Sequence, residues 1–150
     1  MPSGAAQDRR MWLEVVATDA DGGTMFESGT IADDELEELP ATDPNHDPQL
    51  WLFRDRIYNA AGKPVHMFWE AEKLDSLLLP MARTAVAGGH TADHTYRMRS
   101  ATAPAKIRFR LRMRPMGLDV LQDLVQSGHL DPAIMAKMPT FTAGEWEATY

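Results

Sequence analysis

The sequence predicts a mainly β fold, an antiparallel β-sandwich of Ig-like or Greek-key type with two short C-terminal helices. Three observations lead there. Residues 106–114, KIRFRLRMR, alternate cation and apolar residue without a miss, which is the period of a half-buried strand. Two earlier stretches have the form strand, glycine turn, strand. No helical period interrupts the first half of the chain; it begins only near residue 117.

The elements follow in order. RRMWLEVVATDADGGTMFESG predicts a hairpin. Trp12, Glu14 and Val16 share one face, Met11, Leu13 and Val15 the other, and Asp19–Gly23 supplies the turn. From Asp33 to Asp47 there are seven acids and no Lys or Arg. Pro40, Pro44 and Pro48 mark this stretch as a long loop, with Leu36 and Leu39 as its apolar pins. A second hairpin is expected, with one strand over Leu50–Tyr58, a turn at NAAGK and a return strand over Val65–Glu70. A further strand is expected over Thr95–Arg99, before the basic strand. Beyond it the period changes. Leu118, Leu121, Leu124 and Val125 fall on one helical face that ends at Gly128. Asp131 and Pro132 then read as N-cap and first residue of a short helix stopped by Pro139. The helical appendage covers about 117–139.

Composition limits the function classes. A chain of 150 residues suits one domain that buries roughly 70% of the surface its unfolded form exposes. With no cysteine it has no disulfide, thiolate zinc site or thioether-attached haem. No apolar run is long enough for a membrane span. The start, MPSGAAQDRR, has no apolar core of a signal peptide and passes directly from turn residues into a strand. It reads as an interior piece of a longer protein. The net charge of −7 argues against nucleic acid as partner.

The basic strand therefore stands out, and three readings of Lys106, Arg108, Arg110, Arg112 and Arg114 stay open. They form a solvated face or a charge-protected edge. Alternatively the 33–47 loop folds across them, or they grip an anionic partner outside this chain, with Arg9 and Arg10 as additions. His90 and His94, four apart, are weak metal candidates because two glycines and interleaved threonines disfavour the helix that spacing needs. His66 sits in a strand pattern as a partly buried histidine. No nucleophile elbow and no phosphate loop is present, so catalysis is not expected. Trp12, Trp51, Trp69 and Trp146 leave open a sugar- or peptide-binding adhesion module. A metal-dependent hydrolase built on His90 and His94 is the remaining alternative.

Whole strings add a different kind of signal. PSGAAQDRRMWLEV, LWLFRDRIYNAAGKPVHMFWEA and IRFRLRMRPMGLDVLQDLVQSGHLDPAIMAKMPTF resemble the haem-free, β-rich C-terminal domain of bacterial multihaem c-type cytochromes. The resemblance runs from residue 2 to about 142 and is weakest in the acidic loop and at 75–95. It implies a non-catalytic accessory domain in the periplasm or another extracytoplasmic space. That domain packs on the haem domain of the same parent protein or docks a redox partner. Haem c is then expected in the parent and none in this chain. The five basic-strand residues are the expected docking row, and His66, His90 and His94 the residues able to face a haem.

Overall fold

The computed structural model describes residues 8–76 and 93–150. It contains two antiparallel sheets and two short helices, as expected. The larger sheet holds β1 (Arg10–Thr18), β2 (Thr24–Ser28), β3 (Trp51–Phe53), β7 (Lys106–Arg114) and β8 (Phe141–Thr149). The smaller holds β4 (Asp55–Tyr58), β5 (Pro64–Val65) and β6 (Lys73–Ser76). The helices are α1 (Leu118–Gln126) and α2 (Pro132–Met135).

The large sheet runs β2-β1-β7-β8, and β3 joins β1 beside β2. One edge of β1 is thus shared, by β2 along Val15–Thr18 and by β3 along Met11–Leu13. The first turn closes as the sequence specifies. Asp19 accepts backbone N–H groups from Asp21 and Gly23, and Gly22 takes φ 85°, a conformation open to glycine without steric cost.

The basic strand has the predicted limits, but β7 is central and not an edge, paired with β1 over nine residues and with β8 on its other side. Three other expectations differ. The Leu50–Tyr58 strand breaks at Arg54, so β3 stays in the large sheet and β4 enters the small one. The return strand shortens to Pro64–Val65 and gives way to a 3-10 turn over Phe68–Glu70. Segment 95–99 forms no strand: Tyr96 packs its ring against Phe26 of β2 while the segment's backbone joins no ladder. A strand, β8, follows the helices where none was expected.

Both helices form as their sequences dictate. Gly128 takes φ 75° just past α1, and Asp131 accepts the Ala133 N–H as cap of α2, with Pro132 first in the helix. No described helix is long and apolar enough to cross a membrane.

Residues opposite one another in antiparallel strands share a face. One face of the large sheet is therefore apolar, with Met11, Leu13, Val15, Ala17, Phe26, Phe53, Phe109, Leu111 and Trp146. The other carries Arg10, Trp12, Glu14 and Val16 beside all five basic residues of β7. The largest buried side chains sit on the charged face: Trp12, Arg10 and Arg114 are fully enclosed there.

Candidate functional site

The charged face is the densest collection of ionisable groups. Its cations do not form a positive patch, because neighbouring strands place acids among them. Glu14 lies opposite Arg110, Glu145 flanks Arg110 from the far side, Glu147 lies opposite Arg108, and Glu27 lies opposite Val16. Glu14, almost fully buried, pairs with Arg110 and lies 3.6 Å from the Arg112 guanidinium. Lys106 pairs with Glu147 at 3.2 Å. Arg112 also donates to Thr142 Oγ1 at 2.6 Å.

Arg114 is different. It is enclosed at the end of β7 and donates to Glu37 Oε1 at 2.5 Å. It also donates to the carbonyls of Glu35 and Ala32, both at 3.0 Å, and to Thr140 Oγ1. This is the acidic loop folded onto the strand, but at one residue only. Arg114 is thereby spent inside the fold, and the surface of the basic row narrows to Lys106, Arg108, Arg110 and Arg112. Among these Arg108 forms no ion pair within the described residues, and its Nε is enclosed without a hydrogen-bond partner.

A second ionic cluster joins the start of β1 to α1 and the small sheet. Arg10 Nη2 donates to both Asp119 oxygens, at 2.6 and 2.7 Å. Arg54, at the break between β3 and β4, lies 3.7 Å from Glu38 and 3.8 Å from Asp119, and Arg56 pairs with Glu38. Arg10 is thus tied to α1 and is not available as an addition to the docking row. His66 follows β5 and faces Asp123 of α1 at 3.2 Å.

Within this cluster burial raises the Asp8 carboxyl above its ordinary value, although His66 and Arg10 oppose that. Burial would raise Asp119 too, but the charge and hydrogen bond of Arg10 outweigh it and hold Asp119 below 3.8. The two acids make opposite contributions to pH dependence. Asp119 stabilises the fold fully above its unfolded value, and that contribution is lost as pH falls through the lowered one. The contribution of Asp8 is present below its unfolded value and lost as pH rises through the raised one. Asp119→Asn is therefore expected to cost about 1–2 kcal/mol at neutral pH, the worth of a hydrogen bond to a charged group reduced by solvent screening of a carboxylate that is 35% exposed. Urea titrations should show the difference shrinking as pH falls through the acid range; a gap that does not narrow with acidification would contradict the assignment.

Beside the charged face a cleft of about 760 Å³ is lined by Glu35–Leu39, Asp43, His46, Asp47, Trp51 and Arg56, among others. Its carboxylates are largely engaged. Asp47 accepts from Ser28 and from the Gly29 N–H, both at 2.8 Å, while Glu37 and Glu38 hold Arg114, Arg54 and Arg56. On the apolar face His94 stacks on Trp51, centroids 5.0 Å apart and planes at 13°, and its Nε2 meets the Gln49 carbonyl at 3.1 Å. Tyr96 packs edge-on against Phe26 and His94. Burial and nearby Asp47 push its hydroxyl up to about 12.

His66 and His94 lie on different elements with different partners, and His90 lies outside the described residues. No group of three metal-ligating side chains occurs among the described residues. His46, which carried no sequence signal, fixes Nδ1 on the Leu39 carbonyl at 2.8 Å. That is the arrangement an iron ligand needs. The cleft it lines fits a haem poorly, because its walls are rich in carboxylates already engaged with the protein's own cations and hydrogen-bond donors, beside a group that is itself anionic at its propionate edge.

No protein-family model matches the chain, and no curated protein does. Among solved structures it superposes on a penta-haem cytochrome c552 from Thermochromatium tepidum with a TM-score of 0.58 and 18% identity. The match covers 96% of this chain and 31% of that one. The chain therefore spans about a third of the length of that cytochrome, and the likeness is one of fold.

Proposed function

We propose that this chain is the haem-free module of a multihaem electron-transfer protein of the periplasm or another extracytoplasmic space. It serves as a folded support against which a haem-bearing portion packs. The observation that carries this reading is the superposition of nearly the whole chain on a third of a penta-haem cytochrome. The absence of cysteine, which removes thioether attachment here, agrees with it, as does the poor fit of a haem to the cleft. The chain's contribution is then mechanical and electrostatic, with the iron chemistry supplied by its partner.

The contact surface in this reading is the exposed part of the charged face, centred on Arg108. Acids of adjacent strands leave the face near neutrality, so docking rests on local pairing and not on long-range attraction. Arg108 is half-buried with its Nε enclosed, so it would meet a carboxylate, whether a propionate or an acidic side chain, through the Nη end of its guanidinium. Arg110→Glu would set a second carboxylate against buried Glu14 and unfold the face, which makes Arg108→Ala the informative substitution.

An antiserum against the purified chain should detect, in the source cells, a polypeptide larger than 16.8 kDa that stains for covalent haem after denaturing electrophoresis. A 16.8 kDa band with no haem stain, in cells where no haem protein binds the chain, would overturn the proposal. Arg108→Ala should leave the thermal unfolding of the isolated chain unchanged within about 0.5 kcal/mol and weaken association with the haem-bearing portion.

A further inference from the structure

The last strand presents an open edge. β8 pairs with β7 on one side, and no described strand lies along the other. A nine-residue strand with one free edge is a template for another chain. Natural edges are usually blunted by charge, and here Glu145 and Glu147 are exposed on one face of β8. Its other face, however, carries two large exposed aromatics, Trp146 at 57% and Phe141 at 47% exposure. Protection against pairing gives no reason for these.

Trp146 does not project freely. A Cβ at Gly144 would meet its ring at 2.7 Å, so the indole lies along its own strand over Gly144 and lengthens the apolar strip beside the edge. Segment 94–96 packs against Trp51 and Phe26, which belong to the opposite side of the sheet. Among the described residues the apolar face is thus covered beside β2 and β3 and open beside β8.

The two faces of the edge ask for the same pattern in an incoming strand. Side chains entering beside Trp146 and Phe141 must be apolar; those entering beside Glu145 and Glu147 must be basic. We propose that the free edge of β8 binds, by sheet extension, an extended polypeptide segment in which basic and apolar residues alternate. A second copy of β8 is the poorer occupant. In two-fold antiparallel pairing centred on residues 145–147 a glutamate faces a glutamate, and like charges directly opposite are destabilising. The pairing the fold already contains shows the preferred complement, since β7, KIRFRLRMR, places Arg110 opposite Glu145, Phe109 opposite Trp146 and Arg108 opposite Glu147.

The probe is a synthetic peptide of that sequence, titrated into the intact chain. A peptide of the same composition with its apolar residues contiguous controls for attraction between a cationic peptide and an acidic protein. The alternating peptide is expected to bind at least tenfold more tightly than the control and to slow amide exchange within 141–149. Trp146→Ala and the double substitution Glu145→Gln, Glu147→Gln should each weaken it at least fivefold while leaving the thermal unfolding of the chain intact. Equal binding of the two peptides would overturn the proposal, as would protection confined to other strands or unchanged affinity in both variants. Sedimentation showing a dimer that Trp146→Ala dissolves would assign the edge to a second copy and overturn it as well.

Discussion

Arg114→Met is expected to lower folding stability by about 3–5 kcal/mol, the loss typical when one member of a buried ion pair is removed. The side chain is fully enclosed and its partner Glu37 is 3% exposed. Without the guanidinium, Glu37 keeps a charge with neither water nor cation to balance it. The carbonyls of Ala32 and Glu35 lose donors at the same time, so the acidic loop should detach from the end of β7. Glu37→Gln retains an oxygen acceptor and should cost less, while Arg114→Met with Glu37→Leu should recover much of the loss because no charge is then buried. Urea unfolding of the four proteins would test this ordering. A single substitution costing under about 1 kcal/mol, the worth of an exposed pair, would show that the pair is solvated.

Trp12→Ala should be comparably damaging, by about 3–5 kcal/mol. Trp12 is fully enclosed, its indole N–H donates to the Gly29 carbonyl at 2.8 Å, and the Arg114 guanidinium lies 5.8 Å from the ring. Trp12→Phe separates volume from hydrogen bond. It keeps most of the apolar contact and strands the Gly29 carbonyl, so about 1–3 kcal/mol is expected. Gly29 cannot readily adapt. Its φ is 69°, and a Cβ there would meet the Leu13 carbonyl at 2.6 Å. Equal costs for the two Trp12 variants would mean that the hydrogen bond, not the packing, holds the loop.

Much of the architecture was legible in local pattern. Alternation located β7 to the residue, glycine turns located the first hairpin, and Gly128, Asp131 and Pro132 marked the helix boundaries. What misled was non-local. The alternating stretch EWEAT of β8 is short and directly follows a helical pattern, which masks its strand period. The second hairpin closes at the expected turn, with β4 paired to β5, but its first strand is divided at Arg54, which lies between Glu38 and Asp119. Segment 95–99 has strand-like residues, yet Tyr96 and His94 gain more from ring packing than from a ladder.

The candidate site was legible in residue type and not in arrangement. Five cations on one face of a strand are evident in the sequence, but the acids that neutralise them come from four separate segments around Glu14, Glu27, Glu37 and Glu145–Glu147. No local window contains that information. It is the pairing of β7 between β1 and β8 that turns an apparent basic patch into a lattice of alternating charge.

That same pairing has a consequence for biogenesis. β1 precedes every other strand of its sheet, yet its longest partner is β7, which joins Arg10 to Arg114 across more than a hundred residues. At ordinary ribosomal speeds of about 5–20 residues per second, Trp12 and the apolar face of β1 wait on the order of 5–20 s for the strand that seals them. During that interval the nascent chain exposes MWLEVVA with only β2 and β3 to shield it.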